Sequence, residues 1–129
     1  MPAFDDEIVT AAAPETVWKL LYDPSRFPEW WAGVGTVTPG EGAYTMYPTG
    51  YPDFPMPQEL TARRDTRTVM ISCLVSDLRF DWRLRPAATG TIVLVHVEIP
   101  DHEAHRLDTQ RDVIRQSLAN LADLAEADR

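Results

Sequence analysis

The sequence predicts an α+β fold: a curved antiparallel sheet of six or seven strands wraps around one long C-terminal helix, and two short helices follow the first strand. Two observations carry this prediction. Short β-type segments joined by turn signals fill the middle of the chain, and consecutive strands with short connections pair antiparallel. The C-terminal segment instead shows apolar residues at three/four spacing, which is typical of an amphipathic helix. Such a sheet and helix leave a concave space between them.

Composition limits both the organisation and the partners of the chain. Its 129 residues suffice for one self-supporting domain, residues 1–129. Cys73 is the single cysteine, and we find neither a signal-peptide pattern nor an apolar run of membrane length, so we expect a cytoplasmic protein without disulfides or a membrane span. A formal net charge of −8 argues against nucleic acid as a partner. We expect no cofactor, and a homodimer is left open.

Two prolines and two tryptophans mark the region of the short helices. Pro14 suits the first turn of a helix and Pro24 ends that helix, while residues 28–33 form a second one. The first helix places four apolar residues on one face, namely Val17, Trp18, Leu20 and Leu21. Trp30 and Trp31 carry too much apolar area to be left in water, so the pair either fills the core or lines a cavity.

The strands are predicted from alternation and from the turn residues between them. They span residues 4–10, 34–38, 43–47, 58–64, 69–75, 78–85 and 91–99. In the strand 78–85, Phe80 and Trp82 alternate with charged residues, which puts them on one buried face. The segment 48–57 is rich in proline yet carries Tyr51 and Phe54, so we expect a semi-rigid loop that closes over a cavity mouth.

The last element is predicted as a helix over residues 102–127, with Asp101 as its N-cap. Its apolar stripe runs through Leu107, Ile114 and Leu118 and is interrupted by Arg111. Two interpretations of Arg111 are open. Its guanidinium orients a ligand carboxylate or enolate, or its aliphatic stem crosses apolar surface so that the guanidinium reaches solvent.

The N-terminal signature identifies a known scaffold. Residues 13–18, Ala-Pro-Glu-Thr-Val-Trp, and residues 22–31, Tyr-Asp-Pro-Ser-Arg-Phe-Pro-Glu-Trp-Trp, resemble the START-like helix-grip (SRPBCC) superfamily, and within it the polyketide cyclase/dehydrase-like group. Residues 82–86, Trp-Arg-Leu-Arg-Pro, and the following Gly90-Thr91 match that pattern too. The resemblance implies a deep, mostly apolar cavity between sheet and terminal helix, and it transfers no catalytic residue by motif. The loop 48–57 departs from the general pattern, so we expect it to shape ligand preference.

The resemblance leaves three functions open. The first is binding of a small hydrophobic molecule, aromatic, polyketide-like or lipid-like, in the cavity, as a carrier or sensor. The second is a cyclase/dehydrase-type enzyme acting on a polyketide-like substrate. The third is a protein-interaction domain of the chaperone-cofactor kind.

The candidate ligand contacts are the large or polar residues expected on the concave face and at its mouth. They are Trp30, Trp31, Tyr44, Met46, Phe54, Met56, Phe80, Trp82, His96, Leu107, Arg111, Ile114 and Leu118.

Two sets of histidines call for separate interpretation. His96 is the best general acid/base candidate if its strand face is concave, and a surface histidine if that face is convex. His102 and His105 stand one helical turn apart among carboxylates, but no matching ligand cluster stands out elsewhere, so we expect a polar helix start and no metal.

Overall fold

A computed structural model describes residues 2–127 of the chain, so residues 1, 128 and 129 of the predicted domain lie outside the described part. The strands are β1 Ala3–Thr10, β2 Val34–Pro39, β3 Ala43–Pro48, β4 Met56–Arg63, β5 Thr68–Cys73, β6 Arg79–Ala87 and β7 Gly90–Glu98. The α-helices are α1 Pro14–Tyr22 and α2 Leu107–Ala127, and 3₁₀ helices span Pro24–Glu29 and Asp101–Arg106. No helix in the described part of the chain is long and apolar enough to cross a membrane.

The seven strands form one antiparallel sheet in the order β1-β7-β6-β5-β4-β3-β2. Alternate residues of β7, such as Val93 and Val95, are buried, and α2 packs against the same side of the sheet with Ile114, Leu118 and Leu121. The fold class predicted from the sequence, an α+β helix-grip architecture with short helices after the first strand, is therefore confirmed.

A proline explains how the chain leaves α1. The Leu20 carbonyl would accept a helical hydrogen bond from residue 24, but Pro24 has no N–H. The indole Nε1 of Trp30 donates to this carbonyl instead, at 3.1 Å. The second short helix was predicted over residues 28–33, and this prediction is wrong. The observed element is a 3₁₀ helix that begins at Pro24. Asp23 is its N-cap, and the Asp23 carboxylate accepts a hydrogen bond from the Ser25 amide at 3.1 Å.

Other element boundaries also differ from the predictions. The strand β4 begins at Met56, two residues before the predicted start, because Met56 pairs with Met46 of β3. The strand β5 ends at Cys73, and the chain turns through Asp77, whose φ is +60°. The residues from Asp101 to Arg106 form a 3₁₀ helix, so α2 begins only at Leu107. The N-cap of that 3₁₀ helix is Pro100 and not Asp101.

Candidate ligand-binding cavity

A cavity of about 200 Å³ lies at one end of the concave face, where β3 to β6 meet the beginning of α2, and it opens to solvent. Apolar residues form most of its wall: Trp31, Ala32, Gly33, Val34, Met46, Pro48, Met56, Leu78, Phe80 and Val113. The polar and ionisable members of the wall are Tyr44, Gln58, Cys73, Ser76, Arg106 and Gln110. A mostly apolar lining with a few polar groups is the usual composition of a small-molecule site.

The two adjacent tryptophans have different roles. Trp31 lines the cavity, whereas Trp30 is 1 % exposed and lies behind it as part of the core. The Trp31 ring lies 5.4 Å from that of Trp30, 5.0 Å from Phe80 and 5.2 Å from Trp82, between ring centroids. These edge-to-face and stacked contacts hold the Trp31 ring in place, so the aromatic wall is rigid.

Helix α2 fixes the segment that carries these tryptophans. The Ser117 hydroxyl accepts a hydrogen bond from the Ala32 amide at 2.9 Å and donates to the Val113 carbonyl at 2.7 Å. The Asn120 side-chain amide donates to the Trp30 carbonyl at 3.2 Å. The wall after the 3₁₀ helix is therefore attached to the helix that forms the opposite side of the cavity.

Tyr44 places a buried phenol in the cavity wall. Its side chain is 5 % exposed. Burial raises the pKa of this phenol, and the neighbouring Cys73 raises it further because two negative charges there would repel each other. No hydrogen bond joins its hydroxyl to another described residue. Tyr44 is therefore a neutral phenol at physiological pH, with an O–H group to donate.

Two glutamines add neutral polar groups on opposite sides of the cavity. Gln58 is the cross-strand partner of Tyr44, is 4 % exposed, and donates from Nε2 to the Met56 carbonyl at 3.2 Å. Gln110 belongs to α2, and its Oε1 is buried without a hydrogen-bond partner among residues 2–127. A buried acceptor without a donor costs about 1–3 kcal/mol.

Arg106 brings a positive charge to the cavity wall, and that charge is already paired. Its Nε donates to the Glu103 carboxylate one turn earlier. The net charge near this part of the wall is therefore small.

The structure divides the predicted ligand contacts into three groups. Those that line the cavity are Trp31, Tyr44, Met46, Met56 and Phe80. Those that are buried in the core without lining it are Trp30, Trp82, Ile114 and Leu118, and Leu107 packs against that core while partly exposed. Phe54, His96 and Arg111 lie elsewhere on the surface.

His96 lies on the convex face of the sheet, which resolves the alternative left open by the sequence. Its Nδ1 is 2.8 Å from the Asp5 carboxylate and its Nε2 is 3.2 Å from that of Glu98. The hydrogen bond to Asp5 is the main cause that raises the pKa of His96 above its ordinary value. His96 is thus part of a surface charge network and is separated from the cavity by the sheet itself.

Phe54 and Arg111 are also outside the cavity. Phe54 is 55 % exposed in the loop after β3, although Pro48 and Met56 at the two ends of that loop do line the cavity. The Arg111 guanidinium lies 5.8 Å from the centre of the Phe4 ring and the side chain is exposed. The predicted lid therefore contributes its ends and not its tip, and Arg111 corresponds to the alternative in which the guanidinium reaches solvent.

The polar residues between Asp101 and Asp108 lie on the surface, in and just after the second 3₁₀ helix. His105 approaches Glu103 at 3.7 Å, and both histidines are exposed. No group of three or more metal-ligating side chains occurs among the residues that the structure describes.

Sequence reasoning missed the glutamines, and the signal for them was present. Gln110 is three residues after Leu107 and four before Ile114, so its spacing fits the apolar stripe of the helix as well as that of Arg111 does. Gln58 alternates with Met56 and Leu60 on the inner face of β4. Neither glutamine is predicted as a ligand contact from the sequence, because amide side chains are usually solvent-exposed.

The family model described as "Polyketide cyclase / dehydrase and lipid transport" matches residues 1–126. The chain belongs to this family. The resemblance inferred from the N-terminal signature is therefore confirmed. Among curated proteins, none matches the chain significantly by sequence.

Solved structures of similar fold include members of known and unknown role. The di-domain ARO/CYC BexL from the BE-7585A biosynthetic pathway matches with a TM-score of 0.80 at 16 % identity, over 98 % of this chain and 47 % of that chain. The di-domain ARO/CYC StfQ from the steffimycin pathway matches with 0.77 at 15 %, over 97 % and 50 %. A protein from Nitrosospira multiformis matches with 0.78 at 19 %, over 99 % and 100 %. At these identities the likeness establishes the fold shared with the polyketide cyclase/dehydrase family.

Proposed function

We propose that this protein binds a small hydrophobic molecule in the cavity between the sheet and α2, as a carrier or sensor. The observation that carries the proposal is the cavity of about 200 Å³ walled by Trp31, Phe80 and aliphatic side chains. The core behind it is closely packed around Trp30 and Trp82, which are 1 % and 0 % exposed, so the space is confined to one end of the concave face.

The size of the site sets the expected affinity. An aromatic ring that buries about 150–250 Å² gains about 4–6 kcal/mol from burial at about 25 cal/mol per Å². Association costs offset part of this gain. We therefore expect dissociation constants of about 0.1–1 mM for a single-ring probe, which calorimetry with concentrated protein can measure.

A cyclase-type reaction is the second candidate, and one feature favours it. Tyr44 and Arg106 both supply hydrogen-bond donors in the cavity wall, and such donors stabilise the negative oxygen of an enolate. BexL and StfQ, which share the fold, are ARO/CYC proteins. Mass spectrometry of a poly-β-ketone chain after incubation separates the candidates. A carrier releases the chain unchanged, whereas aldol condensation by a cyclase/dehydrase forms a ring carbon–carbon bond and then eliminates one water molecule, which lowers the mass.

Filling the cavity should abolish binding without unfolding the protein. Val113 lines the cavity from α2 and is partly exposed, so Val113→Phe places a ring in the open space. We expect at least a 10-fold weaker binding of p-xylene than in the wild type, measured by isothermal titration calorimetry. A change of this size corresponds to about 1.4 kcal/mol.

The matched control is Gln116→Phe, since Gln116 is exposed on the same helix and lines no part of the cavity. It should bind p-xylene as the wild type does. If p-xylene binds equally to all three proteins, or to none of them, the cavity is not the ligand site.

A further inference from the structure

The polar groups of the cavity define the chemistry of its occupant more closely than its apolar walls do. Resting on the proposed function, we propose that the ligand is a compact phenol of one or two rings. Its hydroxyl donates to Gln110 Oε1 on α2, and the same oxygen accepts from the Tyr44 hydroxyl on β3. The multi-ring product of an aromatic polyketide assembly is too large to be enclosed by this site.

The helix side of the cavity carries a buried hydrogen-bond acceptor without a partner among the described residues. Gln110 Oε1 has no hydrogen-bond partner among the described residues, and it belongs to a residue that lines the cavity. Buried polar atoms in folded proteins are nearly always paired. A ligand hydroxyl can donate to Oε1 or accept from Nε2, so it satisfies Gln110 in either orientation of the amide.

The sheet side of the cavity carries a hydrogen-bond donor, the Tyr44 hydroxyl. Tyr44 and Gln58 are paired residues of neighbouring strands and both line the cavity, so they form one polar spot on its floor. Tyr44 retains its proton and no described residue accepts it. A ligand oxygen is the acceptor that this group lacks.

The cavity wall offers no unpaired positive charge among the described residues. Tyr44, Gln58 and Gln110 are neutral, and Arg106 is paired with Glu103. A ligand carboxylate would have to lose its hydration without gaining a free cation. The site therefore favours a neutral hydroxyl over a carboxylate.

The volume of the cavity limits the number of rings that it can enclose. A buried apolar cavity of about 150 Å³ holds one benzene molecule. The cavity here, at about 200 Å³, is larger by about the volume of a few substituent atoms. One substituted ring or two fused rings are enclosed against Trp31 and Phe80, whereas three or four fused rings extend beyond this volume into solvent.

The test compares near-isosteric ligands on wild-type and variant proteins by calorimetry. The ligands are p-xylene, p-cresol, which replaces one methyl group by a hydroxyl, and 2-hydroxyanthraquinone as a three-ring phenol. Gln110→Leu and Tyr44→Phe remove the two hydrogen-bonding groups with little change of volume. Gln116→Leu on the exposed face of α2 and Tyr47→Phe on the other face of β3 are the matched controls. A thermal melt establishes that each variant is folded.

We expect p-cresol to lose about 5- to 30-fold in affinity in Gln110→Leu and a similar amount in Tyr44→Phe. The affinity for p-xylene should stay within about twofold or rise, the two controls should change neither ligand, and 2-hydroxyanthraquinone should bind more weakly than p-cresol. If p-xylene binds the wild type but the variants change p-cresol and p-xylene alike, the hydroxyl assignment fails and the proposed function stands. Tighter binding of the three-ring phenol refutes the size limit. If neither single-ring ligand binds the wild type, both proposals fail.

Discussion

Gly90→Ala should lower the free energy of unfolding by at least about 3 kcal/mol, because strained backbone and a backbone clash would act together. Gly90 begins β7 with a φ of +153°, and a Cβ atom built there would lie 2.0 Å from the Thr10 carbonyl oxygen and 3.0 Å from the Ala11 Cα. Both contacts are backbone atoms at the end of β1, so relief requires that strand to move away from its partner. Urea denaturation monitored by circular dichroism measures the loss.

Gly50→Ala is the matched control for this substitution. Gly50 also has a positive φ, +86°, but a Cβ there would meet nothing within 4 Å. We expect a cost of about 1–2 kcal/mol from the left-handed backbone alone. Equal losses in the two variants would mean that the contact between β1 and the turn before β7 does not constrain the fold.

Trp30→Ala should destabilise the protein by about 3–5 kcal/mol, the range for truncating a large buried aromatic. The Trp30 side chain is 1 % exposed and contacts Phe27, Trp31 and Trp82, with ring centroids 5.5, 5.4 and 5.2 Å away. Removing it opens a cavity behind Trp31, so the wall of the candidate ligand site should also become mobile. Chemical denaturation gives the loss of stability.

The pair Trp30→Phe and Trp82→Phe separates packing from hydrogen bonding. Both remove the same indole volume from the same aromatic cluster. Trp30→Phe also leaves the Leu20 carbonyl without its donor, whereas Trp82 Nε1 has no partner within the described part of the chain. We expect Trp30→Phe to cost about 1–3 kcal/mol more than Trp82→Phe. Equal costs would show that the indole of Trp30 does not cap α1.

The sheet and the terminal helix could be predicted because periodicity reports burial directly. The alternation of Phe80 and Trp82 with charged residues places both side chains on the buried face, where the structure has them. The short helices were harder, because a 3₁₀ turn and an α-helical turn use the same prolines and capping residues. Pro28, which suggested a helix start, lies inside the 3₁₀ helix instead.

The candidate site was predicted only in part, because a strand pattern gives two faces without saying which is concave. His96 shares its face with Leu94, which is partly exposed, so both faces of β7 carry apolar residues and either could be the concave one. The opposite face of β7 carries Val93, Val95 and Val97, which are fully or almost fully buried. Trp31 and Trp30 could not be distinguished by sequence, since their different depths depend on how α2 holds the segment between them and the sheet.

The central claim is that the space between the sheet and α2 is a ligand site. It is tested most directly by chemical-shift mapping, in which ¹⁵N-labelled protein is titrated with p-xylene. The account predicts shifts confined to amides of residues that wall the cavity, such as Trp31, Gly33, Met46, Ser76 and Gln110. Shifts centred on the convex face around Leu94 and His96, on the exposed loop 50–54, or an absence of shifts at saturating ligand would contradict it.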